Sequence, residues 1–90
     1  MWVLTQARKG DGQTFLVNLE HLGVISLTGP ESVDGENIWS IVASDKTTSW
    51  TLAWSPSHPD AQAIHRRVFN ALATGEKAIN MNSGRKTGNE

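Results

Sequence analysis

The apolar pattern of this chain changes period once, and that change limits what it can fold into. Up to residue 56 the chain reads as short strand-like segments, most plainly "SWTLAWS", where Trp50, Leu52 and Trp54 recur at every second position. That repeat belongs to a β-strand, whose successive side chains point to opposite faces. Beyond it Ile64, Val68 and Leu72 recur at every fourth position, with Ala61 and Ala71 beside them. A four-residue recurrence lays one apolar stripe along a helix. About five short strands followed by one C-terminal amphipathic helix make an α+β domain, either a small antiparallel sheet or a partly closed barrel.

The change falls on Ser57-His58-Pro59-Asp60. His58-Pro59-Asp60 is also the signature triplet of J-domain co-chaperones, where it joins two antiparallel helices. Here the preceding residues have strand periodicity, and only one helix fits before Gly75. Helix-start chemistry accounts for every residue: Ser57 or His58 caps, Pro59 enters the first turn, and Asp60 complements the positive helix end. Gly75 supplies the stop.

Upstream, Trp2–Ala7 reads as a strand, residues 9–13 as a glycine turn, and residues 14–18 as the returning strand, with Phe15 and Val17 on one face. The alternation then slips phase. Val17 and Leu19 share one parity while Leu22 and Val24 share the other, so a turn is expected at Asn18–His21 and a new strand at Leu22–Leu27. Residues 28–37 ("TGPESVDGEN") read as an exposed acidic loop. Strands at 38–44 and 49–55 enclose the turn 45–48. The short apolar segment 78–81 either adds an edge strand or packs on the sheet. Residues 1–81 form a single domain on this reading, and 82–90, without a hydrophobic side chain, form a mobile polar tail.

At 90 residues the chain is one small domain with a modest core. Its formal charge is −1, so no overall field attracts nucleic acid or an anionic membrane. It has no cysteine, which removes disulfides, thiolate metal sites and cysteine nucleophiles. No leader pattern and no apolar run of spanning length appear, so the expected location is cytoplasmic. His21, His58 and His65 have no metal-site spacing, and no metal or cofactor is expected. The serines and threonines near His58 lack a nucleophile elbow, and the glycines match neither a phosphate loop nor a dinucleotide fingerprint. The chain is therefore not expected to be an enzyme.

The tryptophans remain. Trp50 and Trp54 are expected to face the helix and pack with Leu52, Ile64, Val68 and Leu72. The strand at 38–44, however, is apolar on both sides, with Ile38 and Val42 against Trp39 and Ile41. One helix covers one face, so the sheet either curls closed or offers its second face to another molecule. Trp39, Trp50 and Trp54 are the candidate binding residues.

Leu4, Thr5, Gly12, Phe15, Asn18, Leu22 and Ile25 follow an order of strand, glycine turn, Phe-containing strand, Asn-initiated turn and Ile-containing strand. Over about 27 residues this resembles the FlbD-type small flagellar proteins, and also many short phage and bacterial β-rich proteins. The chain departs from that pattern in its longer first turn, acidic loop, Trp-rich hairpin and full helix. The resemblance implies a small accessory domain without catalysis. The expectation is a non-enzymatic interaction module with a protein partner or self-association through an apolar sheet face. The alternative is a small-ligand or single-stranded nucleic-acid binder using the Trp surface, although nucleic acid suits the near-neutral charge poorly.

Overall fold

The computed structural model describes residues 1–7 and 12–82. It contains β1 (Trp2–Leu4), β2 (Leu16–Asn18), a 3-10 turn (Leu19–His21), β3 (Val24–Val33), β4 (Glu36–Ser44), β5 (Ser49–Ser55), α1 (His58–Thr74) and β6 (Ala78–Asn80). These form two three-stranded sheets, ordered β2-β1-β6 and β3-β4-β5, with α1 against the second. The α+β class holds, with six strands in two open sheets. Every pairing is antiparallel except β1 with β6, and β6 follows the helix. Both sheets and the helix share one core: Val3, Val17 and Ile79 from the small sheet meet Ile41, Leu52 and Val68. Among the described residues no helix is long and apolar enough to cross a membrane.

Local chemistry sets the helix ends as expected. The Ser57 hydroxyl accepts from the Asp60 amide at 3.4 Å, proline occupies the first turn, and Gly75 closes the helix in the left-handed conformation (φ 76°). The phase slip is likewise resolved at Asn18, whose side chain accepts from the Glu20 amide at 3.0 Å and starts the 3-10 turn.

Residues 28–37 are not a loop. β3 and β4 run through them as a hairpin closed by Asp34 (φ 52°) and Gly35 (φ 80°). Two consecutive positive φ angles are what a two-residue hairpin turn needs, and Asp-Gly is among the commonest pairs to adopt them. The irregularity that Gly29 and Pro30 announce is a register shift between Thr28 and Glu31 that leaves the strand pairing on both sides. Gly29 is needed there: its φ is +136°, and a Cβ would stand 2.9 Å from both the Ile38 carbonyl oxygen and Trp39 Cδ1.

The helix packs differently from the expected face. Of Trp50, Leu52 and Trp54, only Leu52 enters the core cluster, and it is joined by Ala53. A register shift opposite Ile41 and Val42 puts an extra residue into β5, so Leu52 and Ala53 are buried in succession and the strict alternation fails. On α1 the buried stripe is Ala61, Val68 and Ala71 with Ile64 partly buried, while Leu72 is 41% exposed. The stripe is rotated toward the alanines, and small residues let helix and sheet approach closely.

The expected first strand pairs regularly only over Trp2–Leu4, but Thr5–Ala7 continue as a stitch between the sheets. The Gln6 amide donates to the Leu52 carbonyl at 2.8 Å, and the Trp54 amide donates to Gln6 Oε1 at 2.9 Å. The segment 78–81 supplies β6, whose Ile79 and following Met81 are buried. Asn82, expected to begin the tail, instead bonds the stitch; residues 83–90 lie outside the described residues.

Candidate functional site

The three candidate tryptophans do not form one platform. Trp39 shares its side of β4 with the buried Ile41 and Ala43, packs against the core, and meets His58 at the helix start (ring centroids 5.4 Å apart). Trp50 and Trp54 instead line a groove of about 450 Å³ with Phe15, Val33, Ile38 and Glu31. Ile38, Ser40, Thr51 and Trp54 in that lining share the face opposite Ile41 and Ala43, so the groove floor lies away from α1. Trp50, which pairs with Ala43 in the register, bounds it from the edge strand β5. Its volume falls within the roughly 300–1,000 Å³ usual for ligand sites.

Each aromatic wall is held from behind. The Thr5 amide donates to the Phe15 carbonyl at 2.8 Å, and Thr5 Oγ1 accepts from the Phe15 amide at 2.8 Å. Phe15, fixed in this way, leans on Trp50 with ring centroids 5.3 Å apart and planes at 57°, a favourable tilted pairing. Trp54 is anchored through Nε1, which donates to the Ala7 carbonyl at 3.0 Å, and its backbone amide is bonded to Gln6. Asn82 then clamps the stitch. Its Oδ1 accepts from the Ala7 amide and its Nδ2 donates to the Thr5 carbonyl, both at 2.9 Å. One clamp thus stands behind both aromatic walls.

The polar lining consists of hydroxyls (Thr5, Ser40, Ser49, Thr51) and one charge, Glu31. The Glu31 carboxylate has no hydrogen-bond or ion-pair partner among the described residues. Among the described residues the lining contains no histidine, cysteine, lysine or arginine. The arrangement can hold an apolar group against aromatic faces and a cation against Glu31. His58 and His65 are engaged elsewhere, with Trp39 and with the Ile25 carbonyl. Among the described residues no group of three His, Cys, Asp or Glu could hold a metal ion.

Sequence reasoning named Trp50 and Trp54 but missed Phe15, Glu31, Val33 and Ile38 as their neighbours. The signal for the last three was Asp34-Gly35: once it closes a hairpin, Glu31 comes opposite Ile38 in the register. Phe15 and Trp50 are joined by tertiary structure alone.

No protein-family model, curated protein or solved structure matches this chain.

Proposed function

We propose that this chain is a non-enzymatic interaction module, and that its Trp50–Trp54 groove receives an extended, proline-rich segment of a partner protein with a basic residue beside the apolar ones. The observation carrying this reading is an aromatic groove, braced from behind, whose single charge among the described residues is a carboxylate with no described partner. Aromatic walls suit a polyproline II segment, which is already extended and loses little entropy on docking. Glu31 supplies the preference for a cation. Among the described residues the lining holds a carboxylate and no cation, which favours a peptide with a basic residue over a nucleic acid.

Tryptophan fluorescence of the full chain, titrated with a proline-rich decapeptide carrying one arginine, tests the proposal. A saturable change is expected, and Trp50→Ala should weaken binding by roughly tenfold or more, the usual effect of removing an aromatic anchor. Replacing the peptide's arginine with glutamate should weaken it too. A decapeptide that leaves the emission unchanged counts against the reading. So does salt-sensitive quenching by oligothymidylate in its place, which would favour the single-stranded nucleic-acid alternative.

A further inference from the structure

We propose that β3 is a docking edge for a second copy of this chain, joining two β3-β4-β5 sheets into one six-stranded sheet across a two-fold axis at Ser26. β3 is the outer strand of its sheet, and at ten residues the longest in the molecule. The Ile25 carbonyl points away from β4, because His65 Nε2 on α1 lies 3.4 Å from it. Strand backbone alternates, so the amides and carbonyls of Ile25 and Leu27 both face outward. Apart from that long histidine contact, no described residue bonds them. The Ile25 carbonyl keeps a second lone pair beside that contact, and an edge with open backbone groups is a template for another strand.

Several features favour a second copy as the occupant. Residues 24–28 ("VISLT") carry no charge, and the chain's net charge is only −1, so repulsion between two copies is weak, with Arg66 the one charge lining the neighbouring cleft. A two-fold at Ser26 sets Ile25 opposite Leu27 of the other copy, and the outward groups of these two residues are those that exchange both hydrogen bonds in an antiparallel pair. The register also keeps each side chain on its own face. Ile25 and Leu27 pair with Ala43 and Ile41 on the helix-facing side, and both are only partly buried. Beside Leu27 stands Phe69 of α1, 65% exposed, across an open cleft of about 550 Å³. Ile25 of a second copy would enter that cleft and cover the ring. The shift at Thr28–Glu31, with Pro30 inside it, ends the pairing and closes the assembly as a dimer. This proposal uses residues separate from the Trp groove and stands without it.

Sedimentation velocity of the full chain over a concentration series tests it. The sedimentation coefficient should rise from monomer toward dimer with concentration. Ser26→Lys places two like charges directly opposite at the axis and should raise the dissociation constant at least about tenfold. Ser26→Glu should do the same, and mixing the two variants should restore a heterodimer. Phe69→Glu, at an exposed position, should weaken the dimer while leaving the melting temperature of dilute protein unchanged. A chain that stays monomeric at every concentration overturns the proposal. A dimer that Ser26→Lys leaves intact overturns it as well.

Discussion

The two faces of the β3-β4-β5 sheet solve opposite problems with opposite residues. Toward α1 the contact is built from Ile41, Ala43, Leu52 and Ala53 against Ala61, Val68 and Ala71, all buried and mostly small. Away from α1 the groove is floored by Ile38, Ser40 and Trp54, and Trp50 and Phe15 bound it at the β5 edge, so the three large rings remain partly in contact with water. Size therefore does not decide what enters the core of this domain. Small residues allow close approach of helix and sheet, and dense packing follows. Indoles are used where one end can be wet: Trp54 places its N–H on the Ala7 carbonyl while part of the ring borders the groove. The dry face holds the fold together, and the wet face holds shape for a ligand.

The largest expected effect separates those roles. Leu52 is fully buried, and Leu52→Ala should cost about 2–5 kcal/mol through lost burial and an unfilled cavity. Small domains have only about 5–15 kcal/mol in total, so thermal melting should shift strongly. Trp50→Ala, at a residue 37% exposed, should cost clearly less stability despite removing a larger side chain. Equal losses in the two variants would erase the distinction between the faces.

A smaller effect is expected where the faces are joined. Asn82→Ala removes both clamp bonds to the Thr5–Ala7 stitch, and each typically contributes about 0.5–1.5 kcal/mol. Chemical denaturation should therefore show a loss of about 1–3 kcal/mol. Because the stitch holds Phe15 and the Trp54 indole, tryptophan emission of the folded variant should also move to the red. A stability loss with unchanged emission would make Asn82 a brace for the β1 region only.

What was legible in the sequence divides along the same line as local and non-local chemistry. The helix limits were readable because Ser57, Pro59 and Gly75 act within one turn of themselves, and Asn18 announced its turn in the same way. Asp34-Gly35 was equally local, but it lay within an acidic, Gly- and Pro-containing stretch whose composition suggested a loop. The β5 bulge could not be read from alternation, since an extra residue is defined only against the register of β4. That single insertion sets Trp54, opposite Ser40, on the other face from Trp50, opposite Ala43, so the two no longer share one face. The candidate site was half legible for a similar reason: its tryptophans stand in one strand, but their supports come from Thr5, Phe15 and Asn82, far away along the chain.

The smallest expected effect lies at the turn that both faces share. Asp45 accepts hydrogen bonds from the Thr47 and Thr48 amides at 2.8 and 2.9 Å and from both hydroxyls at 3.2 Å, closing the β4–β5 hairpin. The Thr47 amide foremost, then the Thr48 amide and the hydroxyls, lower its pKa below the ordinary carboxylate value. A carboxylate with a lowered folded-state pKa stabilises the fold fully above its unfolded pKa, and that contribution is lost as pH falls through the folded value. Asp45→Asn keeps an oxygen acceptor and removes the charge. The gap in melting temperature between wild type and variant should thus be constant near neutral pH and narrow in acid. Asp45 is fully exposed, so water screens the charge, and the gap should be smaller than the shifts at Leu52, Trp50 and Asn82. A gap that stays constant into strong acid would show that the turn is held by its geometry and not by the carboxylate charge. The β4–β5 hairpin would then present both faces of the sheet equally well at any pH.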